Sequence, residues 1–192
     1  MRVAVLYAGD IRTWNKCREN QLRNIPGEKD LYFYTYTEPE NTIYKKFIQA
    51  SLWNGVWDDR YAANKHPWID TSRVMKIWEN LYNGFQMIPR EYDVYVKSRC
   101  DIELNGEIEF NKFTYPPNKV YIPKGSDYEN GVNDQFAFGS YEAMEKYFSV
   151  HSNHPKMFED GLRFHTEYYI FKNLERQGVT IERIDIYNSI VR

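Results

Sequence analysis

Residues Tyr92 to Leu104 read YDVYVKSRCDIEL, a strongly β-forming run that ends in three charged residues spaced two apart, Arg99, Asp101 and Glu103. Successive side chains of an extended strand alternate between its two faces, so these three are expected to share one face. On a bland surface two carboxylates and a guanidinium would pair without purpose. At the exit of a buried strand they can hold a divalent metal and a phosphate, because hard cations take oxygen ligands and phosphate suits a planar, permanently charged donor. The pattern points to metal-assisted transfer from a diphosphate donor.

Outward from this strand the chain alternates between strand and helix signals. Val3 to Ala8 is a continuous apolar run, as in a strand covered on both faces. Asp10 or Thr13 can cap a helix that runs to about Asn24 and stops at Pro26 and Gly27, and Leu31 to Tyr36 forms the next strand. That order is the βαβ unit, with its right-handed crossover. A second helix is predicted over Pro39 to Ala50, followed by a long surface loop from Ser51 to Trp68. Asp70 or Thr71 can cap a helix over Ser72 to Met87, whose residues Val74, Ile77, Trp78, Leu81 and Phe85 follow helical spacing.

Beyond the central strand the sequence predicts a Pro116-Pro117 turn, a strand over Lys119 to Ile122 and a strand over Gln135 to Gly139. Ser140 then caps a helix, SYEAMEKYFSV. A long helix from Glu159 to Gln177 is expected to end at Gly178, and Val179 to Ile186 closes as a strand. The outcome is a Rossmann-like α/β/α sandwich with a mostly parallel, mixed central sheet. The 192 residues suit a single domain, whole or part of a longer polypeptide.

Bulk composition narrows the function classes. Charged residues make up 27% yet sum to a net of -2, so there is no basic footprint for nucleic acid. The first apolar run is too short for a signal peptide or a membrane span, and the two cysteines, Cys17 and Cys100, lack disulfide or zinc spacing. Cys100 falls on the inward face of its strand, as a buried free thiol would. A reducing, cytoplasmic setting follows. The chain is rich in aromatics, with 17 Tyr, 11 Phe and 5 Trp. Such rings fill cores and also stack on sugar rings, the core use being the commoner.

Ligands of such sheets bind outside the carboxyl ends of the strands, and three candidate sites lie there. In Ala8-Gly9-Asp10-Ile11-Arg12, Gly9 permits close backbone approach and Arg12 can reach a phosphate, although a plain tight turn capped by Asp10 reads equally well. The turn lacks both G-x-G-x-x-G and the Walker Lys-Ser/Thr. In Arg99-x-Asp101-x-Glu103, one or both carboxylates can hold Mn²⁺ or Mg²⁺ against phosphate oxygens; the bland alternative is a solvated Arg–carboxylate pair. In Asn133-Asp134-Gln135, Asp134 can act as general base, bind a sugar, or simply shape a turn.

Other polar clusters are weaker. His165 and Glu167, two apart in the middle of the expected last helix, would not share a face. His151-x-x-His154 has metal-pair spacing but reads as loop beside Pro155. Asp58 and Asp59 beside Trp57 can meet sugar hydroxyls or simply be solvated.

Taken together, AGDIRTW, YDVYVKSRCDIEL, NDQFAFGSYEAM and HTEYYIFKNLERQGV resemble the small GT-A type glycosyltransferases of chlorella viruses, large DNA viruses of algae that glycosylate their own capsid protein. The resemblance spans nearly the whole chain. It implies a UDP-sugar donor such as UDP-glucose or UDP-rhamnose, a glycan or glycoprotein acceptor, and Mn²⁺ or Mg²⁺ near Asp101 and Glu103. It also implies that Ala8, Gly9, Asp10 and Arg12 lie along the nucleotide, Arg99 near the sugar or diphosphate, and Asp134 facing the donor sugar or the acceptor. Glu103 stands where the commonest D-x-D has aspartate, so one carboxylate can bind metal while the other holds ribose or sugar. Two other classes stay open: a nucleotidyltransferase, and a non-catalytic carbohydrate-binding module built on Trp53, Trp57 and Trp68.

Overall fold

A computed structural model describes residues 1–51 and 70–192. The expected loop from Ser51 to Trp68, with its tryptophans and Asp58 and Asp59, therefore lies almost wholly outside the described residues. Strands β1 (Arg2–Gly9), β2 (Glu28–Thr35), β3 (Lys46–Gln49), β4 (Val94–Ser98), β6 (Lys119–Pro123), β7 (Ala137–Gly139) and β8 (Thr180–Ile184) form one sheet in the order β3-β2-β1-β4-β7-β6-β8. All pair in parallel except β7, which is antiparallel to both β4 and β6. Strands β5 (Ile102–Leu104) and β9 (Asn188–Ile190) make a separate antiparallel ribbon.

Alternation along β1 explains the layering. Val3, Val5 and Tyr7 pack on one face with Trp14, Phe33, Val94 and Val96, beneath helix α1 (Trp14–Asn24). Ala4 and Leu6 pack on the other with Trp78, Leu81 and Phe85 of helix α2 (Thr71–Gln86), and with α3 (Tyr141–Phe148), α4 (Val150–Glu159) and α5 (Thr166–Arg176). Both faces of β1 and of the start of β4 are thus dry, which is why Val3–Leu6 and Val94–Val96 read as unbroken apolar runs. The aromatic surplus goes largely into these layers: Trp14, Trp78, Tyr7, Tyr32, Tyr121, Phe33 and Phe138 are all fully buried.

Several local expectations hold. Asp70 caps α2, accepting from Arg73 N at 3.1 Å, and Ser140 caps α3, accepting from Ala143 N at 3.2 Å. Gly178 ends the last helix at φ +65°, a left-handed geometry that glycine adopts freely. The α1 cap differs: Asp10 accepts from Arg12 N in a tight turn, while Thr13 Oγ1 donates to Val191 O, so neither side chain caps the helix.

Four elements depart from expectation. Pro39–Ala50 contains no helix; Lys45 N and Ala50 N bond to Leu31 O and Thr35 O, and β3 adds to the sheet edge beside β2. Edge pairing of β-branched and aromatic residues outweighs a weak helical period there. The single helix expected over Glu159–Gln177 is instead α5 preceded by an irregular link, with Gly161 at φ +82° and His165 extended at φ -154°. His151 and His154 lie in helix α4, not in a loop. Pro155 has no N–H to give the His151 carbonyl, and His154 Nδ1 stands 2.5 Å from that oxygen.

The fourth departure matters most. The run from Tyr92 to Leu104 is two strands: β4 stops at Ser98, the chain turns at Cys100 and Asp101, and β5 leaves the main sheet to pair with β9.

Close packing of α2 on the sheet sets a testable limit. A Cβ at Gly84 would meet Leu6 Cδ1 at 2.9 Å and Tyr34 Cβ at 3.0 Å. Gly84→Ala should therefore lose ~1–3 kcal/mol despite the better helix propensity of alanine, read as a lower urea midpoint.

Candidate functional site

Strand order reverses between β1 and β4: the chain steps outward to β2 and β3, then returns to the other side of β1. Loops after these two strands diverge there, leaving a crevice at their carboxyl ends. A cavity of about 500 Å³ occupies it. Ala8, Gly9, Asp10 and Arg12 line it from β1, and Lys97 to Asp101 line it from β4. Tyr36, the start of α2 and Asp134 complete the wall. The volume suits a small organic ligand.

The β4 exit is built by one buried glutamine. Gln21, fully buried on α1, donates from Nε2 to Arg99 O at 2.8 Å and to Ile102 O at 2.9 Å, and its Oε1 accepts from Ser98 Oγ at 2.7 Å. These bonds satisfy the backbone where the ladder of β4 ends. The turn then brings Asp101 back onto Arg99 in a bidentate pair, Nε to Oδ1 and Nη2 to Oδ2, both at 2.8 Å. Arg12 Nη1 adds a third bond to Oδ2 at 3.2 Å, and Arg12 Nε reaches Asp10 Oδ2 at 3.3 Å. Burial pushes the Asp101 carboxyl up, but the hydrogen bonds and charges of Arg99 and the charge of Arg12 outweigh it and hold the group below the usual carboxylate range.

Glu103 sits differently. It pairs with Ser189 across the β5–β9 ribbon and is not among the residues lining the cavity. The premise of one shared strand face is thereby corrected, because the turn at Cys100 and Asp101 resets the alternation. Asp101 and Glu103 as placed do not fit a chelating pair for Mn²⁺ or Mg²⁺: the first has its oxygens engaged by two guanidiniums and the second faces elsewhere. Among the described residues no three His, Cys, Asp or Glu side chains converge as metal ligands. Cys100 is a buried free thiol, as expected, with its pKa pushed well up by burial.

Asp134 reaches the cavity from a stitched loop. Asn133 Oδ1 accepts from Gln135 N at 2.8 Å, Asn133 N donates to Asp127 Oδ1 at 2.8 Å, and Asn133 Nδ2 donates to Gly125 O at 3.1 Å. Val132 N bonds Glu167 O at 3.2 Å, and Gly131 lies so near that backbone that a Cβ would stand 2.2 Å from Glu167 C. The loop is therefore locked to the start of α5. Among the described residues no donor is hydrogen-bonded to the Asp134 carboxylate, which stays available to a ligand.

Three cations in the cavity were not singled out from the sequence. Lys97 is 3% exposed and its Nζ donates to the Asp134 carbonyl. Burial drives its pKa down to about 8, against the raising influence of Asp134, Asp101 and Glu167. A lysine inside an otherwise apolar central strand was the available signal. Arg73 and Lys76 line the cavity from α2, and the Lys76 ammonium lies 2.9 Å from Glu79. Outside the cavity, His165 and Glu167 do meet, Nδ1 to Oε2 at 2.9 Å, because His165 is the extended residue before α5 and not a mid-helix position.

Two outcomes follow. Gln21→Leu should cost roughly 2–4 kcal/mol, since it strands two buried carbonyls, with chemical denaturation as the readout. For Lys97, the folded pKa of about 8 lies below the ordinary lysine value of 10.5, so the unfolded chain binds more protons between those values. Its contribution to stability rises with pH across that window. Wild type should accordingly gain on Lys97→Met in melting temperature between pH 8 and pH 10, and a constant difference would contradict a buried, titrating ammonium. No known protein-family model matches this chain, and no curated protein is significantly similar to it in sequence, so its chemistry has to be read from this cavity.

Proposed function

We propose that the chain is a GT-A type glycosyltransferase that moves a hexose from a nucleotide-diphosphate sugar, of the UDP-glucose or UDP-rhamnose kind, to a glycan or glycoprotein acceptor. One observation carries this reading: a ligand-sized cavity at the switch point between β1 and β4, lined by Arg12, Arg99 and Lys97 together with the Asp134 carboxylate. Dinucleotide and P-loop folds also use the first β-α turn, but AGDIR has neither of their glycine patterns.

The chemistry required is departure of a diphosphate from an anomeric carbon. As the C–O bond to the leaving group breaks, its electron pair moves onto the diphosphate oxygen, and that charge falls beside Arg12, Arg99 and Lys97. Preorganised charge of this kind acts without reorganisation at the moment of reaction. In an inverting displacement the acceptor oxygen bonds to the anomeric carbon while its proton passes to Asp134. General-base assistance of this sort is worth ~10²–10⁴-fold in rate. The apolar part of the wall, Ala8, Ile77 and Leu81, offers a dry surface for a base or sugar face.

Asp134→Asn should leave UDP affinity within a factor of about two while lowering transfer ~10²-fold or more, measured by calorimetry and by product formation from a panel of UDP-sugars. Equal loss of both would show that Asp134 binds the donor. Failure of every UDP-sugar and of UDP itself would remove the transferase reading.

A further inference from the structure

On the reading of the cavity as a nucleotide-diphosphate site, we propose that Arg12 and Arg99, pinned together on Asp101, form a two-arginine clamp that binds the diphosphate directly, with no divalent ion between protein and phosphate. In this arrangement Asp101 is a positioning residue and not a metal ligand.

The hydrogen-bond inventory of the cluster supports this role. The Asp101 side chain is only 4% exposed, and its two oxygens accept three charge-assisted bonds from the two guanidiniums. A divalent ion at that carboxylate would have to displace these bonds and sit against two positive charges. A guanidinium has five N–H donors. Arg99 uses two of them on Asp101, and Arg12 uses one on Asp101 and one on Asp10, so three remain on each, with the side chains 29% and 39% exposed at the cavity. Two forks held by one carboxylate, each with donors not engaged among the described residues, match the several oxygens of a diphosphate.

Charge and backbone geometry agree. One carboxylate at the node balances only one of the two guanidiniums, and Asp10, which balances part of the other, is itself 57% exposed and can yield to a phosphate. Lys97 and Arg73 line the same cavity. Arg12 also holds φ +33°, a left-handed backbone that costs energy for a residue with a side chain. The turn from Gly9, at φ +94°, puts it there. Such strain persists where surrounding structure demands that position, and what the position achieves is contact with Asp101 and the cavity.

The test is calorimetry of UDP on the full chain, first in EDTA and then in excess MnCl₂. We expect the dissociation constants to agree within about threefold, inorganic pyrophosphate to compete with UDP in EDTA, and Arg12→Gln, a change at a half-exposed side chain, to weaken UDP at least tenfold in both buffers. Arg99→Lys keeps the charge but loses the fork, and should weaken UDP similarly while its thermal melt stays cooperative. UDP that binds tenfold or more tightly only with Mn²⁺ would overturn the clamp and leave the transferase reading standing. An Arg12→Gln affinity equal to wild type would likewise overturn it. UDP that binds in neither buffer would overturn both.

Discussion

Most of what distinguishes this molecule depends on how its central strand ends. A parallel strand with dry faces cannot simply stop, because its last carbonyls would be buried without partners. Gln21 answers that constraint from α1, bonding the carbonyls of Arg99 and Ile102 and the hydroxyl of Ser98. The corner it stabilises sends the chain out as β5. It also lets Asp101 fold back onto Arg99, and exposes the Asp101 carbonyl to Val191 N at 2.8 Å. The C-terminal ribbon, the cover over α1 and the charged node of the cavity are thus consequences of one turn.

The cavity shows how the sheet converts apolar alternation into a polar site. Along β4, Val94 and Val96 face α1, while Tyr95 faces the four-helix side. Lys97 continues the face of Tyr95 and meets the cavity only because β4 runs out there. Its ammonium is tolerated by the Asp134 carbonyl and by nearby carboxylates, and burial still lowers its pKa. Five cationic and four acidic side chains line the cavity, and one of the cations, Lys76, is paired with Glu79 behind it. Among the described residues no helix is long and apolar enough to cross a membrane.

Legibility was uneven, for identifiable reasons. β1, β2, α2 and α3 were readable because period, caps and burial agree: Val3–Ala8 is covered on both faces, and Asp70 and Ser140 cap as their chemistry allows. The helix expected at Pro39–Ala50 was lost to β3, which pairs with β2 residues fourteen positions away in sequence. Lys97, Arg73 and Lys76 gave only the faint signal of charge within apolar patterns. Gln21 gave none, since a glutamine in a helix looks the same whether it meets water or two carbonyls.

What the sequence by itself determined is the α/β alternation, the mostly parallel sheet, and the placing of Gly9, Arg12, Arg99 and Asp101 at strand exits, because periodicity and turn chemistry act over a few residues. What only the tertiary structure decided is the partner of each. Asp101 and Glu103 separate, and Asp101 and Arg12 join across 89 positions of chain. The reason is that register within a strand is local, whereas the point at which that strand must bend is set by a side chain on a different element.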